Sequence, residues 1–342
     1  MPFQVTIKPS NRSFTAEDDE VVLEAARRAG IVLPYGCRNG ACGSCKGKVL
    51  DGQVDYGQYA AHILPDFEKR QGFALFCQAK PLTDLVIEAR EISAAGEIQI
   101  KKLPCRVQKI ERPTNDVAVL YLGLPANERL QFLAGQYIEI IMRDGKRRAY
   151  SMANPPEDES HVQLHVRNMA NGAFTEYVFN KMKERDILRF EGPLGTFFLR
   201  EDSDKPIIFL ASGTGFAPIK SIVEHAFHMG TTRQMVLYWG GRTRSELYMP
   251  DLPLQWQAEH DNFSFVPVLS EALPEDNWNG RTGFVHRAVM EDFPDLSGYQ
   301  VYACGAPVMV EAAHADFTSH NQLPEDEFYS DAFTPSDGAK LG

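Results

Sequence analysis

The chain has 342 residues, room for two or three domains, and is 44% hydrophobic and 24% charged, an ordinary globular balance. No run of about 18 apolar residues argues for a membrane span, and the first twenty residues lack a basic stretch followed by an apolar one, so a cytoplasmic protein with few structural disulfides is expected. The net charge of −11 is uneven: residues 201–342 carry 8 basic against 21 acidic side chains, residues 93–200 carry 16 against 13, and no basic stripe suited to nucleic acid appears.

Three segments follow in chain order. Residues 1–92 read as a small α+β unit. "FQVTIK" alternates like a half-buried strand, "AEDDEVVLEAARRAG" has the acidic start, apolar interior and terminal glycine of a helix, and "GKVLDG" and "TDLVIEA" are further strands around a long glycine-rich loop. Residues 93–102 are small and polar and read as a linker. Residues 103–200 hold six strand-like runs, from "PCRVQKIER" to "ILRFEGP", and one helix near "AFTEYVFNKMK", a pattern that predicts an antiparallel β-barrel. In residues 201–342, apolar strands such as "KPIIFLAS", "QMVLYWGG", "FSFVPVLS" and "YQVYACG" alternate with helices, which predicts an α/β domain on a parallel sheet.

The loop "YGCRNGACGSCKG" sets Cys37, Cys42 and Cys45 in the spacing C-x4-C-x2-C, and Cys77 follows in "ALFCQAK". That is the spacing of a plant-type [2Fe–2S] centre. A structural zinc site usually has two short cysteine arms, and a dithiol leaves Cys37 and Cys77 without a role. Gly36, Gly40 and Gly43 allow tight bends that bring backbone N–H groups toward a cluster. Residues 1–92 therefore resemble plant-type ferredoxins. The resemblance implies that Cys37 and Cys42 hold one iron and Cys45 and Cys77 the other. Cys105 and Cys304 lie outside the motif.

In the barrel segment, "RRAYSMANPP" contains Arg148, Tyr150 and Ser151 in an R-x-Y-S pattern, weak taken alone. Between an iron–sulfur segment and an α/β segment, it makes residues 103–342 resemble the ferredoxin–NADP+ reductase family, whose members bind flavin on such a barrel. The resemblance implies Arg148 on the flavin pyrophosphate, where a guanidinium fork suits phosphate oxygens, Tyr150 along the isoalloxazine or ribityl chain, and Ser151 near flavin N5. Gly172 and Thr175 of "NGAFTEYVF" match the family's second phosphate element at a helix start. These pyrophosphate elements favour FAD over FMN.

The strand-turn-helix "FLASGTGFAPIKS" brings Gly213, Thr214, Gly215 and Pro218 into a G-x-G-x-x-P loop, the family's nucleotide turn rather than G-x-G-x-x-G, and no acidic residue stands about 20 positions on to hold a ribose. Arg242 and Arg244 of "WGGRTRSELY" stand after the second strand, as candidates for a 2′-phosphate or as solvent-facing side chains. By resemblance Cys304 of "YACGAP" lies beside the nicotinamide, and Phe333 of "DEFYSDAFTPS" covers the flavin, with Asp331 nearby and Tyr329 as the alternative. Ser151, Cys304 and Phe333 are thus the residues expected at the reacting atoms.

Together these readings predict an oxidoreductase that moves electrons from NADH, or NADPH, through FAD and the cluster to an electron-accepting protein. The order of motifs resembles reductases that serve phenol hydroxylase, soluble methane monooxygenase and, most closely, CDP-6-deoxy-glucoseen formation, so a dehydrase or an oxygenase component is the expected acceptor. A non-enzymatic iron–sulfur carrier or sensor would need degenerate flavin and nucleotide motifs, and these are intact. Arg38 and Asn39 are expected at the rim where the acceptor docks.

Overall fold

A computed structural model describes residues 2–92 and 98–334; residues 93–97 of the stretch read as a linker and residues 335–342 of the tail lie outside the described residues. The chain divides into two compact units, one running to Gln99 and one spanning Ile100–Phe333.

The first unit contains β1 (Phe3–Lys8), β2 (Ser13–Ala16), α1 (Val22–Arg28), β3 (Lys46–Asp51), β4 (Val54–Asp55), α2 (Asp66–Arg70), β5 (Phe73–Leu75), β6 (Lys80–Pro81) and β7 (Leu85–Glu88). Its sheet has the order β2-β1-β7-β3-β5, with β1 and β7 parallel and the other pairs antiparallel. The alternation of β1 turns Val5 and Ile7 inward, where Val22, Leu23, Ala25 and Ala26 of α1 cover them. The helix starts later than its acidic run suggests. Phe14 and Ala16 are buried in β2, paired with β1, so Glu17–Glu20 forms the turn between strand and helix.

The second unit opens with β8 (Lys101–Glu111), which begins inside the stretch read as linker. It continues with β9 (Val117–Gly123), β10 (Tyr137–Ile141), β11 (Arg147–Ser151), β12 (Val162–Arg167), α3 (Ala173–Asn180) and β13 (Ile187–Leu194). The antiparallel order is β11-β10-β13-β8-β9-β12. A bridge from Met152 to Leu164 joins the two outer strands and closes the barrel. Leu120, Ile138 and Phe190 fill it, together with Cys105, whose thiol burial pushes up to about 12.

The same unit then builds a parallel sheet from β14 (Ile207–Ser212), α4 (Phe216–His228), β15 (Met235–Gly241), α5 (Asp251–Glu259), β16 (Phe263–Leu269), β17 (Arg281–Thr282), α6 (Val285–Asp292), β18 (Gln300–Gly305), α7 (Pro307–His320) and β19 (Phe328–Ala332). The order β17-β16-β15-β14-β18-β19 reverses at β14, so the crevice at the carboxyl ends of β14 and β18 is where such sheets take ligands. The terminal "DEFYSDAF" segment contains an edge strand, β19. Among the described residues, no helix is long and apolar enough to cross a membrane.

Candidate active site

The cysteine loop lies between α1 and β3, with Gly40 and Gly43 at φ +79° and +77°, the left-handed region that disfavours other residues. A side chain at Gly40 would also strike the Gln58 carbonyl, 2.6 Å from the Cβ position. The four thiols come together as two pairs. The Cys37 amide donates to Cys42 Sγ at 3.3 Å, and the Cys45 thiol donates to Cys77 Sγ at 3.1 Å. Sheet pairing makes the second contact: Lys46 stands opposite Leu75, and the Phe76 amide donates to the Cys45 carbonyl at 3.0 Å. Hydrogen bonding to Cys37 and Cys77, then burial, push Cys42 and Cys45 up, while the same bonds pull Cys37 down to about 7 and lower Cys77. A [2Fe–2S] cluster needs its cysteines as thiolates, and Cys37, Cys42, Cys45 and Cys77 would supply four such soft ligands. Among the described residues, no three His, Cys, Asp or Glu side chains meet around a single metal ion, and two thiol pairs suit a two-iron centre. Arg38 is less available than its place in the loop suggests: it is half-buried, and its guanidinium donates to Glu24 of α1 at 3.1 Å.

On the barrel, strand alternation sets Arg148 and Tyr150 on one face of β11, opposite Ile140 and Ile138 of β10. Arg147 points the other way, into Glu139 at 2.8 Å and Glu191 at 3.0 Å. The Tyr150 ring packs on Phe174 of α3 with centroids 5.2 Å apart, which joins the strand motif to the helix start. That helix begins at Gly172 with no side-chain cap, so its first N–H groups are available to phosphate oxygens. Thr175 uses its hydroxyl within the loop, donating to the carbonyls of Met169 and Gly172, and contributes to an anion site through its backbone. Arg148, the Tyr150–Phe174 surface and the uncapped helix fit a flavin with a pyrophosphate.

The nucleotide turn runs Gly213–Gly215 into α4. Gly213 has φ +52°, and its carbonyl accepts Trp239 Nε1–H at 3.0 Å. Gly215 serves packing: a Cβ there would collide with the backbone of Cys304 and Gly305. Pro218 stands in the first turn of α4, where its missing N–H costs no helical bond. Beside this turn, Cys304 is fully buried, and burial pushes its thiol far up, so it is not a nucleophile. β19 runs parallel to β18 with Asp331 opposite Cys304, and the Phe333 amide donates to the Gly305 carbonyl at 2.8 Å. Phe333 is 36% exposed at this edge, whereas Tyr329 is buried against Tyr302 at 4.8 Å and beneath Arg200, so it is no cover for a flavin.

Several residues here carried no motif. Arg167 at the end of β12 reaches the nucleotide turn, its Nη1 2.7 Å from where a Cβ on Gly213 would stand, and bonds Asp116 at 3.0 Å. Glu246 accepts the Arg242 amide at 2.9 Å and its guanidinium at 2.7 Å. Glu246 also lies 3.7 Å from Arg167 Nη2, so this carboxylate links the turn after β15 to the end of β12. Arg244 is answered by Asp276. His165 is buried between the barrel and the nucleotide domain, its Nδ1 2.7 Å from the Tyr248 hydroxyl.

Burial, aided by the charge of Lys220, pulls His165 down to about 3. Its folded value lies below the unfolded value of 6.5, so stability from neutral His165 is complete above that pH. It is lost as pH falls from there toward 3, at about 1.4 kcal/mol per unit. Melting temperatures of wild type and His165→Gln between about pH 7 and pH 5 should show a shallower slope in the variant; parallel curves contradict this.

Comparison with known proteins agrees with the three-part layout. Residues 5–82 match the 2Fe-2S iron-sulfur cluster binding domain, residues 104–199 the oxidoreductase FAD-binding domain and residues 209–315 the oxidoreductase NAD-binding domain. The chain is 42% identical over 336 residues to CDP-6-deoxy-L-threo-D-glycero-4-hexulose-3-dehydrase reductase of Yersinia pseudotuberculosis, covering 98% of this chain and 100% of that one. The chain belongs to the three-domain [2Fe–2S]/FAD/NAD(P)H reductases of the ferredoxin–NADP+ reductase superfamily. It is also 35% identical over 345 residues to the phenol 2-monooxygenase reductase component of Pseudomonas sp., covering 99% of this chain and 97% of that one. The crystal structure of an Amycolatopsis cytochrome P450 reductase superimposes with a TM-score of 0.77 at 33% identity, over 98% of this chain and 99% of that one. The protein is an NAD(P)H oxidoreductase that holds a [2Fe–2S] cluster and FAD.

Proposed function

We propose that this reductase carries electrons from NADH through FAD to a cluster held by Cys37, Cys42, Cys45 and Cys77, and from there to a sugar-nucleotide dehydrase. The observation that supports this acceptor is the 42% identity across 98% of the chain to the Yersinia dehydrase reductase, against 35% to the phenol 2-monooxygenase component. The flavin, when bound, turns a two-electron donor into a source of single electrons. Arg148 and the α3 start bind its pyrophosphate, Ser151 and Cys304 border the reacting atoms, and Phe333 shields them. Gly213, Thr214 and Gly215 bring the nicotinamide cofactor to the start of α4.

The test mixes NADH-reduced protein with the substrate-loaded dehydrase, and separately with an oxygenase component. NADH consumption that depends on the dehydrase supports the reading. Consumption that depends only on the oxygenase component makes this an oxygenase reductase.

NADH is favoured over NADPH because Glu246 engages the guanidinium of Arg242 and so competes with a 2′-phosphate for that cation. Glu246→Gln should raise kcat/KM for NADPH by about 10-fold, the size of one like-charge contact removed, and leave the NADH value nearly unchanged. A wild type that prefers NADPH refutes this assignment.

A further inference from the structure

The helix that leaves the nucleotide turn is tied to the strand end that carries the flavin motif. Four polar side chains of α4 at helical spacing, Lys220, Ser221, Glu224 and His225, face residues 153–158. Lys220 Nζ donates to the Ala153 carbonyl at 3.1 Å and pairs with Glu224 at 2.7 Å. Ser221 Oγ donates to the Asn154 carbonyl at 2.7 Å, and His225 Nδ1 lies 2.6 Å from Glu157.

Lys220 is 7% exposed and Ser221 fully buried, so these are not surface decorations. A buried ammonium adds little stability over an apolar side chain of the same size, but its bonds have direction. The receiving segment is equally constrained. The Ala153 amide donates to the Gln163 carbonyl at 2.8 Å, and the Asn154 amide group donates to the carbonyls of Asp158 and His161, each at 3.0 Å. Ser151 lies two residues before Ala153, and Gly215 directly precedes α4. The two hydrogen bonds from α4 therefore join the segment that follows the flavin motif to the helix that follows the nucleotide turn.

We propose that Lys220 and Ser221 are positioning residues that set the distance over which hydride passes from NADH to FAD; this rests on the electron path proposed above. In that step the C4–H bond of the dihydronicotinamide breaks with both electrons and a bond forms to flavin N5. NADH is oxidised to NAD+ and the flavin is reduced by two electrons. Their side chains are bonded to the Ala153 and Asn154 carbonyls, and they act through Ser151 and the Gly213–Gly215 turn.

The test uses the full-length holoprotein with Lys220→Met, Ser221→Ala and Lys220→Arg. Anaerobic mixing with NADH should show flavin bleaching slowed about 10- to 100-fold in Lys220→Met, the effect of misplacing reactants by a fraction of an ångström to an ångström. Lys220→Arg, which can still donate to Ala153 and pair with Glu224, should recover most of the rate, and 4-deuterated NADH should show a larger isotope effect in Lys220→Met than in wild type. NAD+ affinity should stay within about twofold, and amide hydrogen exchange in residues 152–158 of the flavin-free protein should quicken. Bleaching within about twofold of wild type in both Lys220→Met and Ser221→Ala overturns the proposal, as does a rate loss matched by an equal loss of NAD+ affinity. If Lys220→Met does not fold, Ser221→Ala decides by the same criteria. A wild-type flavin that NADH fails to bleach rejects the electron path itself, whereas normal wild-type bleaching with unaffected variants rejects only the positioning role.

Discussion

Replacing Cys42 with Ser should remove the cluster's visible absorption and lower cytochrome c reduction by more than about 100-fold, beyond the 10- to 100-fold typical of losing a supporting contact around a metal. The Cys42 sulfur sits at the centre of one thiol pair, accepting the Cys37 amide and lying 3.4 Å from Ser44 Oγ. A serine oxygen there is harder and far less acidic than a thiol, so it competes poorly for iron that soft sulfur ligands hold. Ferricyanide reduction should persist, because the flavin and nucleotide elements all belong to the Ile100–Phe333 unit, with its own cores. Equal loss of both activities would reject the order of electron flow. Retention of the cluster spectrum would reject Cys42 as a ligand.

Gly215→Ala should be the most damaging single methyl in the nucleotide domain. The backbone at Gly215, with φ −59° and ψ −14°, suits alanine. The obstacle is the neighbouring strand end, because the new Cβ would meet the Cys304 carbonyl carbon at 2.5 Å and Gly305 Cα at 2.8 Å. Those are backbone atoms of a strand held by β14 on one side and β19 on the other, so they yield only by parting the sheet. A loss of about 3 kcal/mol is expected, at the upper end of overpacking costs, with flavin bleaching by NADH slowed by at least tenfold. Flavin content should hold, since Arg148 and α3 lie in the barrel. Gly213→Ala makes the useful contrast. It has the unfavourable φ of +52°, yet its Cβ would meet only the end of the flexible Arg167 side chain, so a cost of about 1 kcal/mol is expected. Melting curves of the two variants decide, and the reverse order of damage would show that conformation, not packing, governs this turn.

Much of this arrangement was legible from residue patterns. Strand alternation, cysteine spacing, R-x-Y-S and the glycine turn each carry a local physical signature. What escaped depends on neighbours distant in the chain. In β12 the sequence VQLHVR alternates apolar and polar residues, the pattern of a strand with one wet face. Yet Gln163 and His165 are buried, and Arg167 is bonded to Asp116 and lies beside Gly213. A covering domain and water leave the same mark on a sequence. Glu246 escaped because its role arises from a turn that folds back on Arg242, not from spacing along the strand. α5 carried no stripe to find, since only Pro253 and Trp256 of its residues are buried. Arg38, read as a docking charge, is compensated by Glu24 on a helix earlier in the chain.

The contact between Cys45 and Cys77 ties a chemical spacing to the register of a sheet. Their sulfurs are brought together by backbone hydrogen bonds between β3 and the chain around β5. A slip of β5 against β3 would part the two sulfurs, so the register of these two strands is also the spacing of the thiols.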